Sequence, residues 1–492
     1  MKVTRRRTLF IKRRVSNIYR LFGLLILILA GSWFTWRLYT GIIPNPFNPT
    51  PTATRTINSL VQEGDAQFQA GNLDLAIAAY QQATTQSNQA DPQAWTELPR
   101  IQAYSSSLLS NDSDRLARLT EAYQSANQAV AIAPNNSDAY AIRAFVEDWN
   151  ADPALDPLRT GTKKAADFIF DAQKDAVQSL SLNSQNPLGL AYYAEILIDQ
   201  QKWDQAALYI KPAIQLGSQV MDVHRVYGYY LESTGNYNEA IAEYQKALAI
   251  DPNLTFLYLS IGNNYRTLAF QSTLPSQQSD LYNSARSNYA KAITIDDQLK
   301  ISNPLPYIAI AKTYAQQGQF FAAALNAQEA ISIDPTNADL YGQLGDIYKR
   351  GRNFETSIIA LGCAVKGCDA LQSCQAVLAG SSCVGVQVNP LVLNTNSAVY
   401  YLDLGSVLSA FAPTHPEYCP ETVQLLTQIE TAFPDNTILT RNANVGLQIC
   451  AEVTAGLTAT PASTLTPGAT QVFTPTPTAP YLPPAPLYTP LP

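Results

Sequence analysis

The sequence predicts an all-α chain of stacked helix pairs standing behind one N-terminal membrane-spanning helix. Three observations predict it. An uncharged apolar stretch follows a dense basic cluster at the N-terminus. A Gly-x-(Tyr/Phe)-x-x-Ala pattern then recurs along the chain with helical spacing around it. Hydrophobic residues make up 46% of the 492, ample for a packed interior, and repeats can extend such an interior without limit on length.

The first 20 residues carry Lys2, Arg5, Arg6, Arg7, Lys12, Arg13, Arg14 and Arg20 and no acid. Residues 21–36, LFGLLILILAGSWFTW, hold no charge, and Arg37 is the one interruption before Thr40. At 1.5 Å per residue, 20 residues span roughly 30 Å, the thickness of a bilayer core. Residues 21–43 are therefore the predicted transmembrane helix. Arg37 can snorkel to the headgroups, beside an aromatic belt of Trp33, Trp36 and Tyr39. The positive flank places residues 1–20 in the cytoplasm and the remainder outside it. Leu29-Ala30-Gly31 is similar to the start of a bacterial lipoprotein box, but Ser32 stands where the lipidated cysteine would be. A small-residue cleavage site is missing from the aromatic end, which favours an uncleaved anchor. Residues 44–56, PNPFNPTPTATRT, form a Pro/Thr spacer that cannot continue the helix.

Residues 221–252 read MDVHRVYGYYLESTGNYNEAIAEYQKALAIDP. Gly228 is a small residue inside a first helix. Gly235 and Asn236 turn the chain, Tyr237 opens a second helix, and Ala240, Tyr244, Ala247 and Pro252 follow. Small residues let two helices approach closely, and Pro after Asp stops the second helix. This pattern resembles the tetratricopeptide family. The frame recurs in 304–335 (Ala311, Tyr314, Gly318, Phe320, Ala323) and 338–368 (Leu344, Gly345, Tyr348, Phe354, Ala364). It recurs in 255–297 (Gly262, Tyr265, Ala285, Tyr289), where Asp297 replaces the proline and 270–281 is a polar insertion between helices. A further copy falls in 187–217, and looser copies precede it in 137–183, 93–134 and 57–92, with insertions near 105–114 and 150–162. About eight repeats over 57–368 result, and the resemblance implies a right-handed α–α superhelix.

Beyond them, 369–394 reads as a Cys-rich loop, and 395–452 as a further helix pair with a capping helix that shields the last apolar face. Residues 453–492 hold ten Pro and ten Thr with no charge, a composition that cannot build a core. All six cysteines lie beyond residue 362: Cys363, Cys368, Cys374, Cys383, Cys419 and Cys450. Outside the cytoplasm they can pair, in any of fifteen ways. Cys419 and Cys450, at the start of one helix and the end of the next, are the first candidate pair. His415 lies close to Cys419, but no C-x-x-C occurs, so no metal site is expected.

The two histidines, His224 and His415, are in no nucleophile or metal motif, and no phosphate-cradling loop appears. No catalytic residue and no cofactor is expected, and the chain is not expected to be an enzyme. The overall charge is −7. Without the eight N-terminal basic residues, 24 basic residues face 39 acidic ones, leaving −15. That balance argues against a nucleic-acid partner.

The resemblance implies a concave groove lined by first helices, with ligand-facing positions at Arg225, Tyr229, Phe256, Asn263, Lys312, Gln343 and Asp346. Their mixture suits an extended peptide or a partner helix. Asn263 occupies one place of the family's carboxylate clamp, but Leu259 and Leu305 stand where its basic residues would be. The function expected is a membrane-tethered scaffold for protein partners in a bacterial cell envelope. The alternative is a recognition subunit for an extracellular polysaccharide or peptide.

Overall fold

The computed structural model describes residues 17–40, 56–86, 92–378 and 383–458. The chain divides into two units, Met1–Thr56 and Ile57–Pro492. The first contains helix α1 (Ile18–Tyr39). Asn17 caps it, its side chain accepting from the Tyr19 N–H at 3.1 Å. The segment Ile18–Arg37 has a mean hydropathy of 1.7 and is long enough to cross a membrane; a signal sequence shares these properties. Arg37 lies over the Trp33 ring, 4.9 Å from its centroid. The basic cluster at 1–16, the expected extension of the span past Thr40, the spacer and the Pro/Thr tail beyond 458 lie outside the described residues.

The second unit is a stack of antiparallel helix pairs. In order they are α2 (Ile57–Gln69) with α3 (Leu73–Gln86), and α4 (Pro92–Ser106) with α5 (Asp112–Ile132). Next come α6 (Ser137–Asn150) with α7 (Ala165–Leu182), and α8 (Pro187–Asp199) with α9 (Trp203–Leu216). Then α10 (Met221–Ser233) pairs with α11 (Tyr237–Ile250), and α12 (Thr255–Gln271) with α13 (Pro275–Leu299). The series continues with α14 (Leu305–Gln316) and α15 (Phe320–Ile333), then α16 (Ala338–Arg350) and α17 (Phe354–Lys366). A short α18 (Ala370–Ala376), then α19 (Ala398–Phe411), α20 (Cys419–Ala432) and α21 (Thr437–Thr458) complete it.

The motif residues explain the pairs. The ring of Tyr244 on α11 lies against Gly228 on α10, so close that a Cβ on the glycine would sit 2.8 Å from it. Tyr80 covers Gly64 and Tyr289 covers Gly262 in the same way. Each small residue is thus the seat for one large residue of its partner helix. The turns inside three pairs use glycine at positive φ: Gly71, Gly235 and Gly318. Gln201 and Arg352 adopt the same left-handed conformation in two others, which costs a residue with a Cβ more.

The polar insertion expected at 270–281 is mostly helical, with only 272–274 connecting α12 to α13. It is absorbed as extra helical turns, giving α12 17 residues and α13 25. Without the helix-stopping proline, α13 runs to Leu299 and ends on Lys300 in the left-handed conformation. The insertion at 150–162 contains a 3-10 turn, Pro153–Leu158.

Contacts between distant repeats close the stack on itself. Asn253 Nδ2, after α11, donates to the Gln69 carbonyl at 3.1 Å. Ser110, in the α4–α5 loop, donates to Asp334 at 3.0 Å and accepts from Asn337 at 2.8 Å. Asn394, just before α19, donates to Asp112 at 2.9 Å and to the Ala154 carbonyl at 3.0 Å. Two of these contacts use segments that depart from the repeat pattern, the α4–α5 loop and the stretch before α19.

At the C-terminal end the cysteines pair as Cys363–Cys368, Cys374–Cys383 and Cys419–Cys450. Cys368 and Val388 exchange backbone hydrogen bonds of 3.0 and 2.9 Å, returning the loop against α17. Cys419–Cys450 ties the start of α20 to α21, and Leu426 of α20 fills the hollows at Gly405 of α19 and Gly446 of α21.

Candidate functional site

First helices of successive repeats line the inner face. The residue directly after each small motif residue (Ala194, Gly228, Gly262, Ala311, Gly345) is Glu195, Tyr229, Asn263, Lys312 and Asp346. They recur at the family's period of about 34 residues, lengthened once by the turns added to α12 and α13. This row divides into a half filled by ion pairs and stacked rings and a half that is partly exposed.

Between α4 and α12 the interior is filled by its own side chains. Arg225 forms two hydrogen bonds to the Glu195 carboxylate, at 2.7 and 2.5 Å, and receives a third partner in the Tyr104 hydroxyl at 3.0 Å. Its guanidinium lies over the rings of Tyr104, Phe145 and Trp149. Phe256 stacks on Tyr104 with centroids 5.1 Å apart, and Phe145 on Tyr192 at 4.5 Å. The hydroxyls of Tyr104 and Tyr192 both donate to Asp222, which also takes Arg100 at 2.9 Å. Although burial opposes it, Arg100 and these donors hold the Asp222 pKa below the ordinary carboxylate value. Arg225 and Phe256, expected to face a ligand, are consequently buried in contacts within the chain, at 7% exposure each.

Acids gather beside this plug. Tyr229 donates to Asp199 at 2.6 Å. Burial, then Glu195, raises Asp199 to about 7. Burial and the neighbouring Asp199 and Glu195 push Asp148 well up. Glu147, on the same helix, is raised by burial to about 8. Among the described residues no group of three or more His, Cys, Asp or Glu is disposed to hold a metal ion.

From α12 to α16 Lys312, Gln343 and Asp346 are half-buried, whereas Asn263, expected to face a ligand, is buried. Asn263 accepts from the Tyr289 hydroxyl at 2.9 Å. Lys312 is half-buried on α14, and burial and the nearby Arg266 depress it to about 8. Gln343 Nε2 donates to Asp339 at 2.5 Å, while its Oε1 has no partner. Asp346 lies 3.7 Å from Arg350. Five polar atoms between α12 and α16 are buried without a hydrogen-bond partner: Asn264 Oδ1, Arg266 Nη1, Asp296 Oδ1, Gln316 Oε1 and Gln343 Oε1. Leu259 and Leu305 pack with Ala285, Tyr289 and Ala309 in an apolar cluster, so no clamp of the family's kind forms at those places.

Sequence reasoning did not single out Arg266, Glu195, Asp199 or Asp148. The 34-residue period leads from Tyr229 back to Glu195. Arg266, one turn beyond Asn263 on the same helical face, was also within reach of helical spacing. The Asp148–Asp199 proximity has no sequence signal.

Two family models match the chain: TPR repeat at residues 228–266 and tetratricopeptide repeat at 57–89. With the helix pairs above they define the class: the chain carries tetratricopeptide repeats. Such a fold is in general a scaffold for protein or ligand binding. Similar solved structures include a human IFIT1 dimer with PPP-AAAA, at 15% identity and TM-score 0.49 over 82% of this chain and 92% of that one. TTC0263, a thermophilic TPR protein of Thermus thermophilus, is similar at 18% identity and TM-score 0.33 over 42% of this chain and 98% of its own. A tetratricopeptide repeat protein of Parabacteroides merdae is similar at 16% identity and TM-score 0.33, over 60% and 99%.

The expectation that nucleic acid is excluded as a partner is withdrawn. Human IFIT1, among these similar structures, carries PPP-AAAA and m7Gppp-AAAA. The inference from net charge was also physically weak, because an acidic total does not determine the charge at one place. Arg266 and Lys312 are neighbouring cations on an acidic body.

Proposed function

We propose that this protein is a membrane-tethered scaffold that holds a segment of a partner polypeptide along the inner face of α12, α14 and α16. One observation carries the reading: Asn264 Oδ1, Arg266 Nη1 and Gln343 Oε1 are buried there without partners, while the face between α4 and α12 is filled by the chain itself. An extended backbone brings donors and acceptors together and can satisfy both kinds of group. Photo-crosslinking from position 343 of the full chain in its native membrane tests this. A defined polypeptide adduct, lost when Lys312 is changed to Ala, is the expected result. Adducts to glycan alone, or none above a control position on α15, would overturn it.

The tether is α1, and the repeat unit stands outside the cytoplasm. Support comes from the eight basic residues before the span and from the six cysteines, all of which are disulfide-bonded. Thiol titration of the unreduced native protein is expected to find none free. Six free thiols would count against the outside placement.

A further inference from the structure

Arg266 and Lys312 are two cations on neighbouring first helices, close enough to act on one another, and neither has a carboxylate within ion-pair distance among the described residues. Arg266, at the inner end of α12, is 93% buried by its 7% exposure, yet it makes no hydrogen bond or ion pair with any described residue. Lys312, on the adjacent first helix α14, likewise has none. Every other buried arginine of the inner face has a carboxylate: Arg100 has Asp222 and Arg225 has Glu195. The charged and titratable groups around the pair come from three directions. Asp339 and Asp346 of α16 act on Lys312, and Tyr282 and Tyr289 of α13 lie by Arg266. Neither acid is within ion-pair reach of Lys312. Asp339 is taken by the Tyr400 hydroxyl at 2.7 Å and by Gln343, and Asp346 lies by Arg350. Glu232, the nearest acid of α10, accepts from Tyr244 and Asn264.

We propose that Arg266 and Lys312 together receive one oxyanion, a carboxylate or a phosphate, supplied by the bound partner. A guanidinium offers a planar fork of donors that matches either group, and an ammonium beside it adds a point charge. Neither cation has an ion-pair partner, and Arg266 disfavours the charged form of Lys312, so an anion bridging the two would be stabilised by both. The depressed Lys312 agrees with a site that is missing its counter-charge. The site differs from the family's clamp, whose basic places are held here by the buried Leu259 and Leu305.

This proposal rests on the inner face being the binding face, and its test needs no partner. Competitive acylation of the full-length protein in detergent, read by mass spectrometry at Lys312, follows its protonation against pH. Inorganic phosphate and acetate serve as probes. An anion favours the charged form, so the midpoint is expected to rise from about 8 by roughly one unit or more on saturation. The rise is expected to vanish in Arg266→Gln and to persist in Arg266→Lys, which keeps the charge if the glutamine variant folds poorly. A rise with phosphate alone assigns the site to phosphate; a rise with both admits a carboxylate. A midpoint unmoved by either anion in the parent protein overturns the proposal, and so does an equal rise in Arg266→Gln. An unmoved midpoint alongside intact crosslinking from 343 would leave the scaffold reading standing; the converse result would remove that reading alone.

Discussion

Gly262 shows how much one hydrogen atom decides in this chain. A Cβ there would lie 2.3 Å from the ring of Tyr289, which is fully buried and whose hydroxyl is held by Asn263. The ring has nowhere to retreat. Gly262→Ala is expected to destabilise the protein by about 1–3 kcal/mol in denaturant unfolding, the range for overpacking a well-filled interior. Gly161, where a Cβ meets nothing within 4 Å, is the control and should tolerate alanine. His224 makes a second residue-scale prediction. Its Nδ1 lies 2.7 Å from Glu243, and that partner raises its pKa above the ordinary 6.5. A raised histidine contributes stability fully below its unfolded value and loses it as pH rises through the folded value. His224→Gln should therefore cost more below pH 6.5 than in alkaline solution. An equal cost at both would show that packing alone matters there.

At the scale of elements, the plug between α4 and α12 makes the first helices of repeats two to six one body. Arg225→Ala leaves the Glu195 carboxylate buried and unpaired, and should cost about 3–5 kcal/mol. Replacing both partners by Met and Gln is expected to recover most of that loss. If it does not, the aromatic stacking on the guanidinium matters more than the ion pair. The cap, whose Leu425, Leu426 and Ile429 join the core of α14 to α17, is the terminal element. Cys419–Cys450 closes a loop of 31 residues, and removing it should cost about 3–4 kcal/mol by chain entropy. Hydrogen exchange in the doubly substituted Ser variant should show the loss in α20 and α21 first, with α8 to α11 unchanged.

At the scale of the whole molecule, a set of buried acids governs the pH dependence. Burial raises Glu147 to about 8, Asp199 and Asp296 to about 7, and Asp403 to about 6. Each binds a proton in the folded state that it has released in the unfolded chain at the same pH. The folded state therefore loses stability as pH rises from the ordinary carboxylate range through these values. His224 acts in the same direction. Asp222 and Glu243, held below their ordinary values, act oppositely and only in stronger acid. Thermal unfolding is thus expected several degrees higher near pH 5 than near pH 8, where a chain with solvent-exposed acids would change little.

The sequence by itself determined the repeating unit. Gly228, Tyr244, Gly235 and Pro252 are local in the chain, and the helix pair they specify depends on residues within about 34 positions of one another. It also determined an apolar N-terminal helix, because length and hydropathy need no neighbours. The tertiary structure alone decided which part of the inner face is filled. Tyr104 reaches Asp222 and Phe256, and Asn394 reaches Asp112, across separations that no periodic pattern reports. Arg225 and Phe256 hold groove positions by period and are buried because residues from repeats far along the chain arrive on top of them. Arg266 shows the reverse. Its sequence neighbourhood is ordinary, and its lack of a carboxylate is visible only once α12, α13 and α14 surround it. Helix pairing is a short-range outcome of shape, whereas the charge balance of an interior depends on every element that converges there.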